Sequence, residues 1–128
     1  MYSLTIKGRI PSKKNNVNLF VKNGRQFKLP SNAYKEWHKD ASKQLAVHKT
    51  CWAGIPVVFG GRLKITITIF APDKRKSDLT NKVESIMDLL VDNKIIEDDN
   101  WFVVQNLSLI FGGVDKNNPR AEIKLYAK

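Results

Sequence analysis

The chain has one cysteine, Cys51, and two histidines, His38 and His48, in 128 residues. A lone cysteine excludes an internal disulfide framework, and so few thiols and imidazoles leave no zinc-finger spacing. No apolar run approaches the roughly 18–20 residues that a membrane helix needs, so no membrane partner is expected. The first ten residues alternate polar with apolar and lack the continuous apolar stretch and cleavage site of a secretory leader. The expected compartment is therefore the cytoplasm. Seven glycines and five prolines form no linker or low-complexity tract, and no internal repeat is visible. With 42% hydrophobic residues, this predicts one domain with enough chain for a real core.

Acidic residues are also scarce, 12 against 22 lysines and arginines, for a net charge of +10. Such an excess points to a polyanionic partner, nucleic acid first and anionic membrane second. The acids are not spread evenly. Seven of the twelve fall between positions 78 and 99: Asp78, Glu84, Asp88, Asp92, Glu97, Asp98 and Asp99, against two lysines there. Residues 1–77 carry 16 basic residues against three acids. An acidic island in a basic chain suits a metal-dependent nuclease, in which cations hold the phosphate backbone and carboxylates hold Mg²⁺. Alternatively, acids at helix starts stabilise the dipole, Asn81 with Glu84 forms a capping box, and Asp92 and Glu97 are solvated.

The pattern predicts β, β-hairpin, α, β, α, β, β. Residues 2–9 alternate as a strand, and Pro11 to Asn16 is a turn. Asn23-Gly24 joins two strands at Leu19–Lys22 and Gln26–Leu29, ended by Pro30. A helix follows from Ser31 or Asn32 to about His48, with Tyr34, Trp37, Ala41 and Leu45 on its apolar side and lysines 35, 39 and 43 on another. Residues 50–61 read mainly as a loop. Arg62–Ala71 alternates β-branched residues with polar ones and is a strand. Residues 81–92 form a helix with Val83, Ile86, Met87 and Leu90 inward and Asn81, Glu84 and Asp88 on the opposite stripe. Strands at Trp101–Phe111 and Ala121–Tyr126 complete an α+β domain, a mixed sheet with two main helices packed on it.

Asp78 lies between a strand and a helix, and Asp98-Asp99 lies in the turn before the next strand. The intervening helix rises roughly 18 Å. Residues 93–97 are expected to fold back along it and place Asp99 close to Asp78.

The string Pro72-Asp73-Lys74-Arg75-Lys76-Ser77-Asp78-Leu79-Thr80-Asn81, with Met87-Asp88-Leu89-Leu90 and Glu97-Asp98-Asp99, resembles the RusA family of Holliday-junction resolvases. That family has a basic run leading into Asp-Leu-Asp-Asn, a helix with Asp-Ala-Leu, and an Asp-Asp pair before a strand. Pro11-Ser12 with Asn15-Asn16 is similar to its Pro-Ser-Asn-Asn turn. The resemblance implies a RusA-like fold and a homodimeric endodeoxyribonuclease dependent on Mg²⁺, with Mn²⁺ as a substitute. It implies four-way or branched DNA as partner, paired symmetric nicks, and a bacterial, phage or prophage setting in recombination and repair. Asp78 and Asp99 match the family's metal-binding aspartates. Asn81 matches the motif asparagine, and Asp88 and Asp98 have secondary roles. Two positions depart. Thr80 stands where a second catalytic aspartate usually lies, and Glu84 where a lysine usually lies. Glu84, one turn beyond Thr80, is the candidate replacement carboxylate and third metal ligand.

Lys74, Arg75 and Lys76 precede Asp78 and are candidates to position the scissile phosphate, because phosphate contacts fix register without reading bases. Lys13 and Lys14, with Lys22, Arg25 and Lys28, would form a second arm of the groove. Trp37 reads as core. Trp101 and Phe102 are expected to alternate, one inward and one outward, and the outward one is a candidate wedge or dimer contact, as is Phe20. His38 and His48 read as surface or half-buried rather than as general bases. Two other function classes stay open: a non-catalytic branched-DNA-binding module, and an assembly protein whose charge serves solubility.

Overall fold

A computed structural model describes residues 2–12, 17–22, 24–30, 32–51 and 62–127, at backbone level for 17–22, 25–30 and 47–51. The order of elements is β1 (Tyr2–Lys7), β2 (Val17–Lys22), β3 (Arg25–Pro30), α1 (Asn32–Cys51), β4 (Leu63–Ala71), α2 (Leu79–Asp92), β5 (Val104–Val114) and β6 (Arg120–Ala127). This is the α+β arrangement expected from the pattern. Four strands make one mixed sheet in the order β1-β6-β4-β5, while β2 and β3 pair only with each other. β6 runs antiparallel to both β1 and β4, and β5 runs parallel to β4.

Alternation decides which face of the sheet is covered. On β4, Ile65, Ile67 and Ile69 are buried while Lys64, Thr66 and Thr68 are exposed or half-buried. Leu4 and Ile6 on β1, and Ile123 and Leu125 on β6, join the same buried face. The two helices close it from one side, as suits a sheet with one face in the core. α2 contributes Val83, Ile86, Met87, Leu89 and Leu90, a wider stripe than the sequence alone marked, and Ile95 and Ile96 extend it past the helix end. On α1, Tyr34, Ala41 and Leu45 are buried, Trp37 packs against the core, and lysines 35, 39 and 43 are exposed.

Three polar links tie the helices together. Tyr34 donates its hydroxyl to Asp88 at 2.8 Å, His38 meets Asp92 at 2.8 Å, and Asn93 donates to Ser42 at 3.0 Å. At the top of the sheet, Arg120 ion-pairs with Asp115 and Glu122 and lies over the Phe70 ring, 3.9 Å from its centroid. Gly112 backs that ring so closely that a Cβ there would sit 2.7 Å from it.

Among the boundaries that differ from expectation, which include the extension of α1 to Cys51 and of β5 to Val114, two bear on the site. α2 begins at Leu79 rather than Asn81, which makes Asp78 its N-cap residue and removes the Asn81–Glu84 capping box. β5 begins at Val104 rather than Trp101, because Asn100 turns the chain: its side chain accepts from the backbone N–H of Phe102 and Val103. Trp101 and Phe102 therefore sit in a turn and do not alternate. Both are exposed, at 78% and 72%.

Ile67 is fully buried on a strand flanked on both sides. Ile67→Ala removes packing atoms from a site that collapses poorly, so unfolding free energy by urea titration is expected to fall by about 2–5 kcal/mol.

Candidate active site

The site is built around the loop between β4 and α2. β4 ends at Ala71, and residues 72–78 cross to the helix N-terminus. Asp78 has extended backbone (φ −76°, ψ 124°), and its carboxylate makes no cap hydrogen bond. It is exposed and, among the described residues, accepts only a long 3.4 Å bond from the Asn81 side-chain amide. A capping role would have tied it to the first-turn amides. Its oxygens face solvent instead. Thr80 and Glu84 are also exposed, one turn apart on the same side of α2. Asp88 is not part of this group, because its carboxylate is engaged by Tyr34.

The basic run before Asp78 is exposed, but it is not three equivalent cations. Asp73 holds Arg75 by two side-chain bonds of 2.9 and 3.0 Å and accepts its backbone N–H at 3.0 Å. Those bonds hold the Asp73 carboxyl below the usual carboxylate range. Lys74 and Lys76 extend into solvent beside it. Lys13 and Lys14 lie outside the described residues, as do the side chains of Phe20, Lys22, Arg25, Lys28 and His48.

Sequence reasoning overlooked the cations on the inner side of this loop. Lys82 donates to the carbonyl of Ile10 at 2.7 Å, and the buried Ser85 hydroxyl donates to the carbonyl of Pro11 at 2.6 Å. These bonds dock the segment after β1 onto α2 and bring Arg9 to within 3.8 Å of Asp73. Burial first, then the charges of Arg9 and Arg75, hold the Lys82 ammonium below the ordinary lysine value. The only advance signal was the spacing of Lys82 and Ser85, which falls on the inward side of the helix.

The Asp98-Asp99 pair lies elsewhere. Parallel strands joined by one helix require the helix to carry the chain back to the starting end of the sheet. α2 does so. Asn93 to Ile96 continue downward, and the 97–103 turn meets the beginning of β4, where Leu63 donates to the carbonyl of Val103 at 2.7 Å. Asp78 follows the end of β4, so the two carboxylates are separated by about the length of that strand. The eight steps of about 3.3 Å along nine-residue β4 span roughly 26 Å, which sets the scale of their separation within one chain. The fold-back expected for residues 93–97 does not occur within one chain. Among the described residues, no three of His, Cys, Asp and Glu converge to hold a metal ion. Asp98 is committed locally: it accepts from the Asp99 backbone N–H at 2.7 Å and from Asn100 at 3.0 Å, which lowers its pKa.

Compared with protein families, the chain matches the model described as Endodeoxyribonuclease RusA over residues 10–126. The chain belongs to the RusA family. Comparison with curated proteins gives no match. The RusA assignment covers β4, α2 and the Asp98-Asp99 turn together, and it identifies the protein as an endodeoxyribonuclease of the type that acts on Holliday junctions. No helix among the described residues is long and apolar enough to cross a membrane. The donor chemistry on view suits a RusA nuclease. Asp78 and Asp99 offer hard, exposed oxygens, and Mg²⁺ needs only one or two carboxylates beside water and substrate phosphate.

The Tyr34–Asp88 link anchors the helix that carries Asp78. Burial first, then the hydrogen bond and charge of Asp88 and the charge of Asp92, push the Tyr34 hydroxyl well above the ordinary phenol value. The folded state thus keeps a proton that the unfolded chain loses near pH 10. The associated stability is complete below about pH 10 and is lost as pH rises toward the folded value. Tyr34→Phe is expected to lower stability by about 1 kcal/mol at pH 7 and to remove this alkaline decline, read from melting curves between pH 7 and 11.

Proposed function

We propose that the chain is a Mg²⁺-dependent junction-resolving endonuclease that acts as a two-fold dimer, with each site taking Asp78 from one copy and Asp99 from the other. The observation that supports this most strongly is the placement of the two carboxylates at opposite ends of a strand pair whose outer member is unpaired. β5 is the edge of the sheet, and nearly every residue along it is exposed or half-exposed, including Leu107, Ile110, Phe111 and Val114. An uncovered apolar edge strand of 11 residues is a template for pairing with another chain. If two copies pair antiparallel along β5, the lower end of one strand lies beside the upper end of the other. Asp99 of the second copy then approaches the 73–78 loop of the first, which already borders Phe111 and Val114. The two-fold axis repeats the arrangement, giving two equivalent sites.

Symmetric nicking of paired strands follows from two such sites. Asp78 and the second copy's Asp99 would hold the ion, with Glu84 reaching toward it from the next turn. Side chains on a helix lean toward its N-terminus, which favours that reach. A bound Mg²⁺ supplies charge stabilisation at the phosphate and an activated water, and Mn²⁺ would substitute. Lys74 and Lys76 would hold the strand in register through its phosphates. Trp101 and Phe102 flank Asp99 as an exposed edge-to-face pair, 6.3 Å between centroids, and suit stacking on bases unpaired at the branch. Recombination or repair in a bacterium, phage or prophage is the setting consistent with such chemistry. A second reading, a branched-DNA-binding module without catalysis, is favoured by Thr80, which stands where the resemblance to the family implies a carboxylate.

Subunit mixing tests the proposal. Asp78→Asn and Asp99→Asn are each expected to lose nearly all cleavage of a synthetic four-way junction. Mixed and exchanged, the two inactive proteins should regain Mg²⁺-dependent nicking in one strand, because one of the two shared sites is then intact. No recovery, with exchange confirmed, would place both residues of each site in one chain. Junction binding without cleavage by the wild type would establish the binding module.

Glu84→Gln is expected to reduce cleavage on the scale of Asp78→Asn without changing junction affinity. Near-normal cleavage would remove Glu84 from the site.

A further inference from the structure

Inside the 73–78 loop lies a cavity of about 390 Å³, bordered by Arg9, Ser12, Trp37, Ser77 and Lys82. A second hollow of about 260 Å³ shares Arg9, Ser77 and Lys82 with it and adds Asp73, Arg75 and Lys76. Four cations thus line a concave surface that holds a single carboxylate. That carboxylate is already taken, held by Arg75 at 2.9 Å with Arg9 3.8 Å away. Lys82 is half-buried, and among the described residues it has no acid partner of its own. Its bond to the Ile10 carbonyl uses one of three ammonium protons. Half-burying an ammonium without a counter-charge is unfavourable unless an anion completes the site. Trp37 borders the same hollow.

We propose that this pocket is a dedicated phosphate site, which receives the backbone phosphodiester next to the one cut at Asp78. Lys82 is its inner cation and Arg9 its rim. Ser77 lines both hollows and immediately precedes Asp78, so a strand laid along the loop presents one phosphate to the carboxylate and its neighbour to the pocket. The pocket also supplies positive charge from a different face of α2 than the one that carries the exposed acid Glu84. The inference rests on the nuclease reading for the nature of its ligand, and its test is separable from that reading.

Binding of a fluorescein-labelled four-way junction is measured by anisotropy in EDTA across a salt series, with cleavage in Mg²⁺ measured in parallel. The variants are Lys82→Met, Lys82→Arg and Arg9→Met, each checked by thermal melting. Loss of one phosphate contact is expected to weaken binding about 3–10-fold at low salt and to reduce the salt slope by about 1, for Lys82→Met and for Arg9→Met. Lys82→Arg should keep the slope. An unchanged slope in Lys82→Met overturns the proposal, as does a Lys82→Arg protein that behaves like Lys82→Met, which would make the role one of packing. If Lys82→Met fails to fold, the slope of Arg9→Met decides. Wild type that binds and cuts while the slopes stay unchanged removes the pocket alone. Slope loss without wild-type cleavage keeps the pocket and removes the nuclease. Wild type that binds no DNA removes both. Saturable binding of inorganic phosphate without any slope change would assign the pocket to a free anion and overturn the proposal.

Discussion

The arrangement of the molecule depends on one constraint: β4 and β5 are parallel, so the segment between them must cross the full length of the sheet. α2 makes that crossing. Its inward residues close the core over Ile65, Ile67 and Ile69, and its two ends fix the positions of Asp78 and, past the turn that follows, Asp99. Asp78 is held at the upper end because a helix starts there, and Asp99 at the lower end because a parallel strand must restart there. The same crossover that covers the central strand also separates Asp78 from Asp99. Cooperation between two copies would then be a consequence of topology.

The alternating runs on β1, β4 and β6 were readable because each has one face in the core, and burial imposes a period of two. β5 was misread at its start for a physical reason. Being an unpaired edge with little burial on either face, it gives no clean alternation to mark where it begins. Trp101 and Phe102 extended the apolar run on paper, whereas the Asn100 side chain, by capturing two amides, ends the turn only after them. The start of α2 was placed late for a similar reason. Leu79 and Thr80 carry little periodic signal, and Asp78 does not cap with its side chain.

The candidate site was legible as chemistry but not as geometry. Asp78 and Asp99 were visible through charge clustering and motif, because carboxylates in a basic chain stand out locally. The distance between them depends on whether the strands on either side of α2 run parallel, a non-local property that residue spacing does not contain. Asp88 shows the opposite failure. It belongs to the motif by position, yet its hydroxyl partner, Tyr34, comes from a helix 54 residues away, and the contact makes it a fastener between helices.

Charge placement links these points. The loop before Asp78 carries its cations on two sides. Lys74 and Lys76 face solvent, while Arg9 and Lys82 lie on the inner wall, Lys82 held by the Ile10 carbonyl and Arg9 3.8 Å from Asp73. A carbonyl orients an ammonium without neutralising it, whereas a carboxylate would do both. Asp73 is shared between Arg75, which it holds in the loop next to Asp78, and Arg9. If a phosphate lies beside Asp78 as proposed, Arg9 and Lys82 border the hollow that its neighbour would enter, together with Ser77. A polyanion drawn in by the whole basic surface would therefore be retained most strongly at the place where the exposed carboxylate stands. Under the proposed reading, that local charge, added to the net charge of +10, is what would favour a strand across this loop.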